Sequence, residues 1–157
     1  MVTTRSGRHG TAGVCGVPRQ SGGRRRFTVA ITVAADARKV AVARQAARLV
    51  LPDHPRLDDV MLVVSELTTN ACLHGSSRAD ARVRVRVSRL PFGFVYVSVT
   101  DRGRNGSPSS AVGRPGAAED SGLGLLVVDR LAWRRWQRRR RGGGRRVHVV
   151  FARRGPQ

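Results

Sequence analysis

The sequence predicts an α+β fold, a two-layer α/β sandwich with a mostly antiparallel sheet. Three observations carry this. Residues 27–33, 81–89 and 94–99 alternate apolar and polar at period two, the mark of half-buried strands. Residues 40–50 and 57–71 place apolar side chains at alternating steps of three and four, the stripe of a helix lying on a core. The order strand, helix, helix, strand, strand, loop, helix, strand, strand then segregates the two kinds into two layers.

The chain has 157 residues, enough for one domain with a real core. Its formal net charge is +20, and Lys39 is the single lysine, so the positive charge is almost all arginine. Such a balance attracts polyanions. No uncharged apolar run reaches 18 residues, which excludes a transmembrane helix, and the N-terminus lacks the apolar segment of a secretory signal. Cys15 and Cys72 are too few for a disulfide framework or a cysteine metal site. Together these lead us to expect a cytoplasmic protein with no membrane contact.

Residues 1–26 are rich in Gly, Arg, Ser and Thr, hold no acid and show no period. They are expected to form a disordered basic arm, with the folded domain over residues 27–152 and a short tail at 153–157. In the first strand Phe27, Val29, Ile31 and Val33 share one face. Asp36 leads into a helix with Val40, Ala43, Ala47 and Val50 on one side, which Pro52 and Pro55 stop.

The next helix carries Leu57, Val60, Val64, Leu67 and Ala71 inward, and Gly75 stands where a C-cap glycine would. Glu66 and Asn70 are four apart, so they project from neighbouring turns of one face. Leu62 and Leu73 flank them, so this face is also expected to be half buried. Buried polar groups need polar partners. A hydrated Mg²⁺ carrying phosphates would satisfy both, because Mg²⁺ takes oxygen ligands and keeps its waters. The plainer alternative is a helix with two tolerated surface polars. His74 lies one turn beyond Asn70, where the helix macrodipole alone would favour it.

Residues 81–89, ARVRVRVSR, put valines inward and arginines outward. Residues 93–100 return as a more apolar strand, which leaves Asp101 at a strand end. A carboxylate there is a natural acceptor for an exocyclic amino group, and Gly103 lets a backbone approach closely; an ordinary Asp-Arg-Gly turn reads the same way. Residues 104–120 have little to bury, as in a lid or a disordered loop. Gly122-Leu123-Gly124 is then expected to begin an apolar helix whose free N–H groups face phosphates. Residues 136–152 read as a hairpin around Gly142-Gly143-Gly144, with the densest arginine patch and few aromatics: Trp133, Trp136 and Phe151. The patch is expected to be a solvated edge or a surface for an acidic partner rather than a nucleic-acid reader.

Glu66-x-x-x-Asn70, then Asp101-x-Gly103, then Gly122-x-Gly124-Leu125 resemble the N, G1 and G2 boxes of the GHKL ATPases, those of gyrase, histidine kinases and mismatch-repair proteins. The phrasing SELTTNACLHG, DRG and GLGLLVVDRLA is similar to the stand-alone bacterial branch of anti-sigma-factor serine/threonine kinases. The resemblance spans about residues 27–151. It implies the Bergerat fold and a site for ATP and Mg²⁺. Asn70 would ligate the metal and Glu66 would be the catalytic base. Asp101 and Gly103 would hold adenine, and Gly122, Leu123 and Gly124 would line the phosphates beneath a lid. Asn105 stands where many relatives have a glycine, and asparagine tolerates the left-handed backbone that position demands. The resemblance places His74 near the phosphates. It implies an anti-anti-sigma antagonist protein and a sigma factor as partners; the sequence leaves the oligomeric state open, a homodimer included. A non-catalytic ATP-gated sequestering module uses the same boxes, and an arginine-driven nucleic-acid binder is a third reading. A sensor histidine kinase is not expected, since no dimerising helical hairpin with a phosphoacceptor histidine is present.

Overall fold

The structure is a computed structural model that describes residues 13–16, 27–74, 81–101, 119–140 and 144–154. Its strands are β1 (Gly13–Gly16), β2 (Phe27–Ala34), β3 (Arg82–Arg89), β4 (Val95–Asp101), β5 (Arg134–Arg139) and β6 (Arg145–Phe151). Its helices are α1 (Val40–Val50), α2 (Leu57–His74) and α3 (Glu119–Leu131). The sheet runs β1-β2-β3-β4-β6-β5, and every ladder is antiparallel. The α+β sandwich expected from the sequence is therefore the fold observed.

Alternation along each strand divides the sheet into two unlike faces. Val29, Ile31, Val33, Val83, Val85, Val87, Val95, Val97, Val99, Val149 and Phe151 all point to one side and are buried. There they meet Ala43, Ala47 and Val50 of α1 and Val60, Val64 and Leu67 of α2 in a single core. The helices cover this side, and Arg82, Arg84 and Arg86 of β3 fall on the other.

The five-residue stripe expected for α2 is the one that packs on the core, and it is wider than expected. Val63 and Thr68 are also fully buried, because α2 touches α1 on one flank and α3 on the other as well as the sheet beneath. The Thr68 hydroxyl has no hydrogen-bond partner among the described residues, and nothing in the structure explains it.

Two boundaries differ from expectation. Within the supposed unstructured arm, Gly13–Gly16 pairs with β2 in register Val14↔Ile31 and Cys15↔Ala30. The first four strand residues thus extend the sheet without any apolar alternation to announce them. The β5–β6 hairpin also begins at Arg134, two residues ahead of the expected start, because Arg134 pairs with Val150.

Candidate functional site

Glu66 and Asn70 sit one turn apart on α2, both half buried. The cause is not the one expected. Leu62 and Leu73 are 45% and 68% exposed, so they shelter nothing. The shelter over Glu66 is α3. A Cβ placed on Gly124 would overlap Oε2 of Glu66 and lie 3.4 Å from its carboxyl carbon. With glycine there the carboxylate rests against the backbone of α3, and any Cβ would require it to shift.

Asp101 is the last residue of β4 and shares the helix-bearing side of the sheet with Val95, Val97 and Val99. Its Oδ1 accepts the backbone N–H of Arg145 at 2.9 Å. On the opposite side of the strand, Thr100 Oγ1 accepts from Arg146 Nε at 2.9 Å. The main chain of β6 thus holds one oxygen of the Asp101 carboxylate.

The ends of the elements agree. Val83 pairs with Asp101, and Ala34 pairs with Arg82. The 3-10 turn that follows β2, Ala37–Lys39, contacts α2. Cys72, in the last turn of α2, lies close enough to Asp36 for the aspartate charge to help raise its thiol pKa, after the larger effect of burial. The C-terminal half of α2, the end of β4 and the N-terminal half of α3 therefore meet at one end of the sandwich. Glu66, Asn70, Asp101 and Gly124 all belong to that end.

Other expectations fare differently. Gly103, Asn105 and the lid lie outside the described residues, as does the side chain of His74. Gly122 and Gly124 do not open α3, which starts at Glu119 and reaches them at its fourth and sixth residues. Their role at Gly124 is close approach to α2 rather than a helix start. Leu123 is 77% exposed.

Among the described residues no cluster of three His, Cys, Asp or Glu side chains is built to cage a metal. Mg²⁺ with a nucleotide needs no such cage. It is held by one or two protein oxygens together with phosphates, and an amide oxygen one turn from a carboxylate, beside a glycine cradle, fits that requirement. A concavity of about 510 Å³ lined by Pro55, Arg56, Asp59, Arg153 and Arg154 opens at the other end of α2. It contains none of the residues expected to bind a nucleotide.

Sequence reasoning missed Arg56. Its side chain is buried, pairs with Asp59 at 3.1 Å, donates to the carbonyl of Leu131 and stands 5.6 Å from the Phe151 ring centroid. It also missed Arg145, which acts through its backbone, a contribution no side-chain pattern reveals.

A family model described as the histidine kinase-like ATPase domain matches residues 28–151. The chain belongs to that family. Domains of this family are ATP-binding kinases and ATPases, usually with Mg²⁺. Among solved structures, the histidine kinase domain of the Erythrobacter litoralis EL346 blue-light activated histidine kinase is similar at 21% identity, with a TM-score of 0.45. The match covers 76% of this chain and 65% of that one, so the chain spans about two thirds of the domain it resembles. No curated protein matches the sequence. Among the described residues no helix is long and apolar enough to cross a membrane.

Proposed function

We propose that this protein is a cytoplasmic serine/threonine protein kinase of the anti-sigma-factor kind, using ATP and Mg²⁺ to phosphorylate an antagonist protein. The observation that carries the reading is the Glu66 carboxylate held against Gly124 of α3, one turn from Asn70 and at the same end of the fold as Asp101. In this reading Asp101, pinned by the Arg145 amide, accepts the adenine amino group. Asn70 offers its amide oxygen to the metal. The metal supplies charge neutralisation for the phosphates. The backbone of α3 around Gly122 and Gly124 would meet the triphosphate, and Gly103 would let the main chain approach the base. Glu66 takes the proton of the attacking serine hydroxyl. Positioning and charge neutralisation supply most of the acceleration in such transfers, and the base contributes about 10²–10⁴-fold.

The test uses labelled ATP, the full chain and candidate antagonist proteins. Glu66→Gln should bind ATP as wild type does, by titration calorimetry, while phosphate transfer falls about 10²–10⁴-fold. Undiminished transfer by that variant removes Glu66 from the role. Loss of ATP binding in Asp101→Ala checks the adenine contact separately. A second reading, a non-catalytic ATP-gated module that sequesters a sigma factor, draws support from the leucines left exposed beside the site: Leu62, Leu73, Leu123 and Leu126. In that case ATP binds, no phosphate moves, and sigma-factor binding changes with nucleotide.

A further inference from the structure

The helices cover one face of the sheet. The other face is a second surface, and the nucleotide site does not use it. Strand register assembles it in three cross-strand rows. The first holds Arg84, Thr100, Arg146 and Arg138; the second holds Arg86, Ser98, His148 and Trp136; the third holds Ser88, Tyr96, Val150 and Arg134. With Arg82 beside them at the start of β3, six arginines share this face, and it bears no acid among the described residues. At the usual strand spacing, the four strands make a platform about 14 Å wide.

The centre of the platform is aromatic. Trp136 and His148 stack with ring centroids 4.8 Å apart and planes within 4°. Tyr96 closes the group, with its hydroxyl 2.7 Å from His148 Nδ1 and its ring 6.5 Å from that of Trp136. His148 is 9% exposed, and its Nε2 has no partner among the described residues. Trp136 stands on the edge strand β5, half buried, with His148 against one side of its ring. Arg84, Arg86, Arg134 and Arg138 make no ion pair among the described residues, unlike Arg135 on the helix side, which is held by Asp129.

We propose that this open face binds single-stranded nucleic acid. Charge alone would suit any polyanion, and the rings are what choose among polyanions. An acidic protein surface gives the stacked Trp136–His148 pair and the tilted Tyr96 ring nothing to meet. A strand with exposed bases gives them flat faces, and the surrounding guanidinium groups meet its phosphates or stack on its bases. A flat sheet with central aromatics and a basic rim is a known solution for splayed single strands, whereas a duplex hides its bases from such a surface. RNA and DNA share the phosphate and base chemistry invoked here, so both serve as probes.

The test is fluorescence anisotropy of the full chain with labelled (rU)20, (dT)20 and a 20-base-pair duplex between 50 and 300 mM salt. Single strands should bind more tightly than duplex. The plot of log affinity against log salt should slope at about −2 to −4, for three to six phosphates contacted. Arg84→Glu with Arg86→Glu should weaken single-strand binding at least tenfold, and Trp136→Ala at least fivefold. Trp136→Phe should restore most of that loss. The same charge change on α1, Arg44→Glu with Arg48→Glu, should leave affinity within about twofold, as should Asn70→Ala in the nucleotide site. Binding of either single strand with these sensitivities supports the proposal, and the ratio of the two affinities says which strand is preferred. Wild-type affinity in the Arg84/Arg86 double variant overturns it and assigns the binding to residues 1–26. Equally tight competition by polyglutamate overturns it in favour of an acidic protein partner. Thermal melts of the variants confirm that they fold, and the exposed Arg84/Arg86 pair decides the matter if Trp136→Ala does not.

Discussion

At Gly124 a single added carbon would meet the Glu66 carboxylate, so that carboxylate would have to shift. Helix propensity argues for alanine there, by about 1 kcal/mol, whereas glycine leaves the Glu66 carboxylate in the space a methyl group would need. Gly124→Ala should therefore separate stability from binding. The melting temperature should move by only a few degrees, since the helix gain offsets the local clash, while ATP affinity by titration calorimetry should fall at least tenfold as Glu66 or α3 is displaced. Wild-type ATP affinity in Gly124→Ala would mean that this contact lies outside the nucleotide site. At this scale the sequence was readable where chemistry is carried by spacing. Glu66 and Asn70 announce themselves by being four apart on an otherwise apolar helix. The reason for Gly124 was not readable, because it depends on a side chain 58 positions earlier, brought close only by packing of α2 on α3.

Elements show the same division. The strands were legible because β3 alternates arginine and valine from Arg82 to Val87, so one register alone buries the valines. The helices were legible from their stripes, although a stripe does not tell how many neighbours will flank it, and α2 buries Val63 and Thr68 beyond its predicted face. Arg56 was illegible. Between Pro55 and Leu57 it reads as a solvated charge in a turn, yet it is 5% exposed and ties the start of α2 to the last turn of α3. A cation at a helix C-terminus is favoured by the macrodipole and satisfies a carbonyl that the helix leaves over. Arg56→Met keeps the aliphatic stem and removes the guanidinium. It should cost about 2–4 kcal/mol, chiefly because the Leu131 carbonyl loses a charged donor, while Asp59, with its side chain 34% exposed, loses an ion pair that solvent partly replaces. Urea denaturation measures this, and Arg56→Lys should recover only part, since an ammonium does not reproduce the planar fork. A loss under 0.5 kcal/mol would show that the staple is incidental to stability. The open face belongs here too. The aromatics of the C-terminal hairpin look sparse along the chain, and pairing of β6 with β4 is what adds Tyr96 and the β3 arginines to them.

For the molecule as a whole, the large positive charge makes acid the natural stress, and two histidines set where it begins. His54 is buried. Its Nδ1 accepts the backbone N–H of Arg56 at 3.1 Å and its Nε2 donates to the carbonyl of Gly93 at 3.0 Å. Protonating Nδ1 would turn that acceptor against an N–H. Burial lowers the pKa of His54, and the carbonyl of Gly93 only partly opposes this. Burial likewise lowers that of His148, with Arg146 and Arg138 adding to it. In both cases the folded pKa lies below the ordinary value of about 6.5. The unfolded chain therefore binds more protons than the folded one through this range, and stability rises with pH there. The contribution is complete above about 6.5. It is lost as pH falls below that value and through the folded pKa values. Asp36, lowered by its hydrogen bonds with Arg38, acts in the separate window below the ordinary carboxylate range. Unfolding free energy from urea titrations should be flat from pH 8 to 7 and fall between pH 6.5 and 5. The fall should be shallower in His54→Gln and shallower still when His148→Gln is added, since an amide at either position does not titrate. A wild-type curve with no slope across that interval would show that both imidazoles take up protons as readily in the folded chain as in the unfolded one, against the burial and the donor arrangement that hold them neutral.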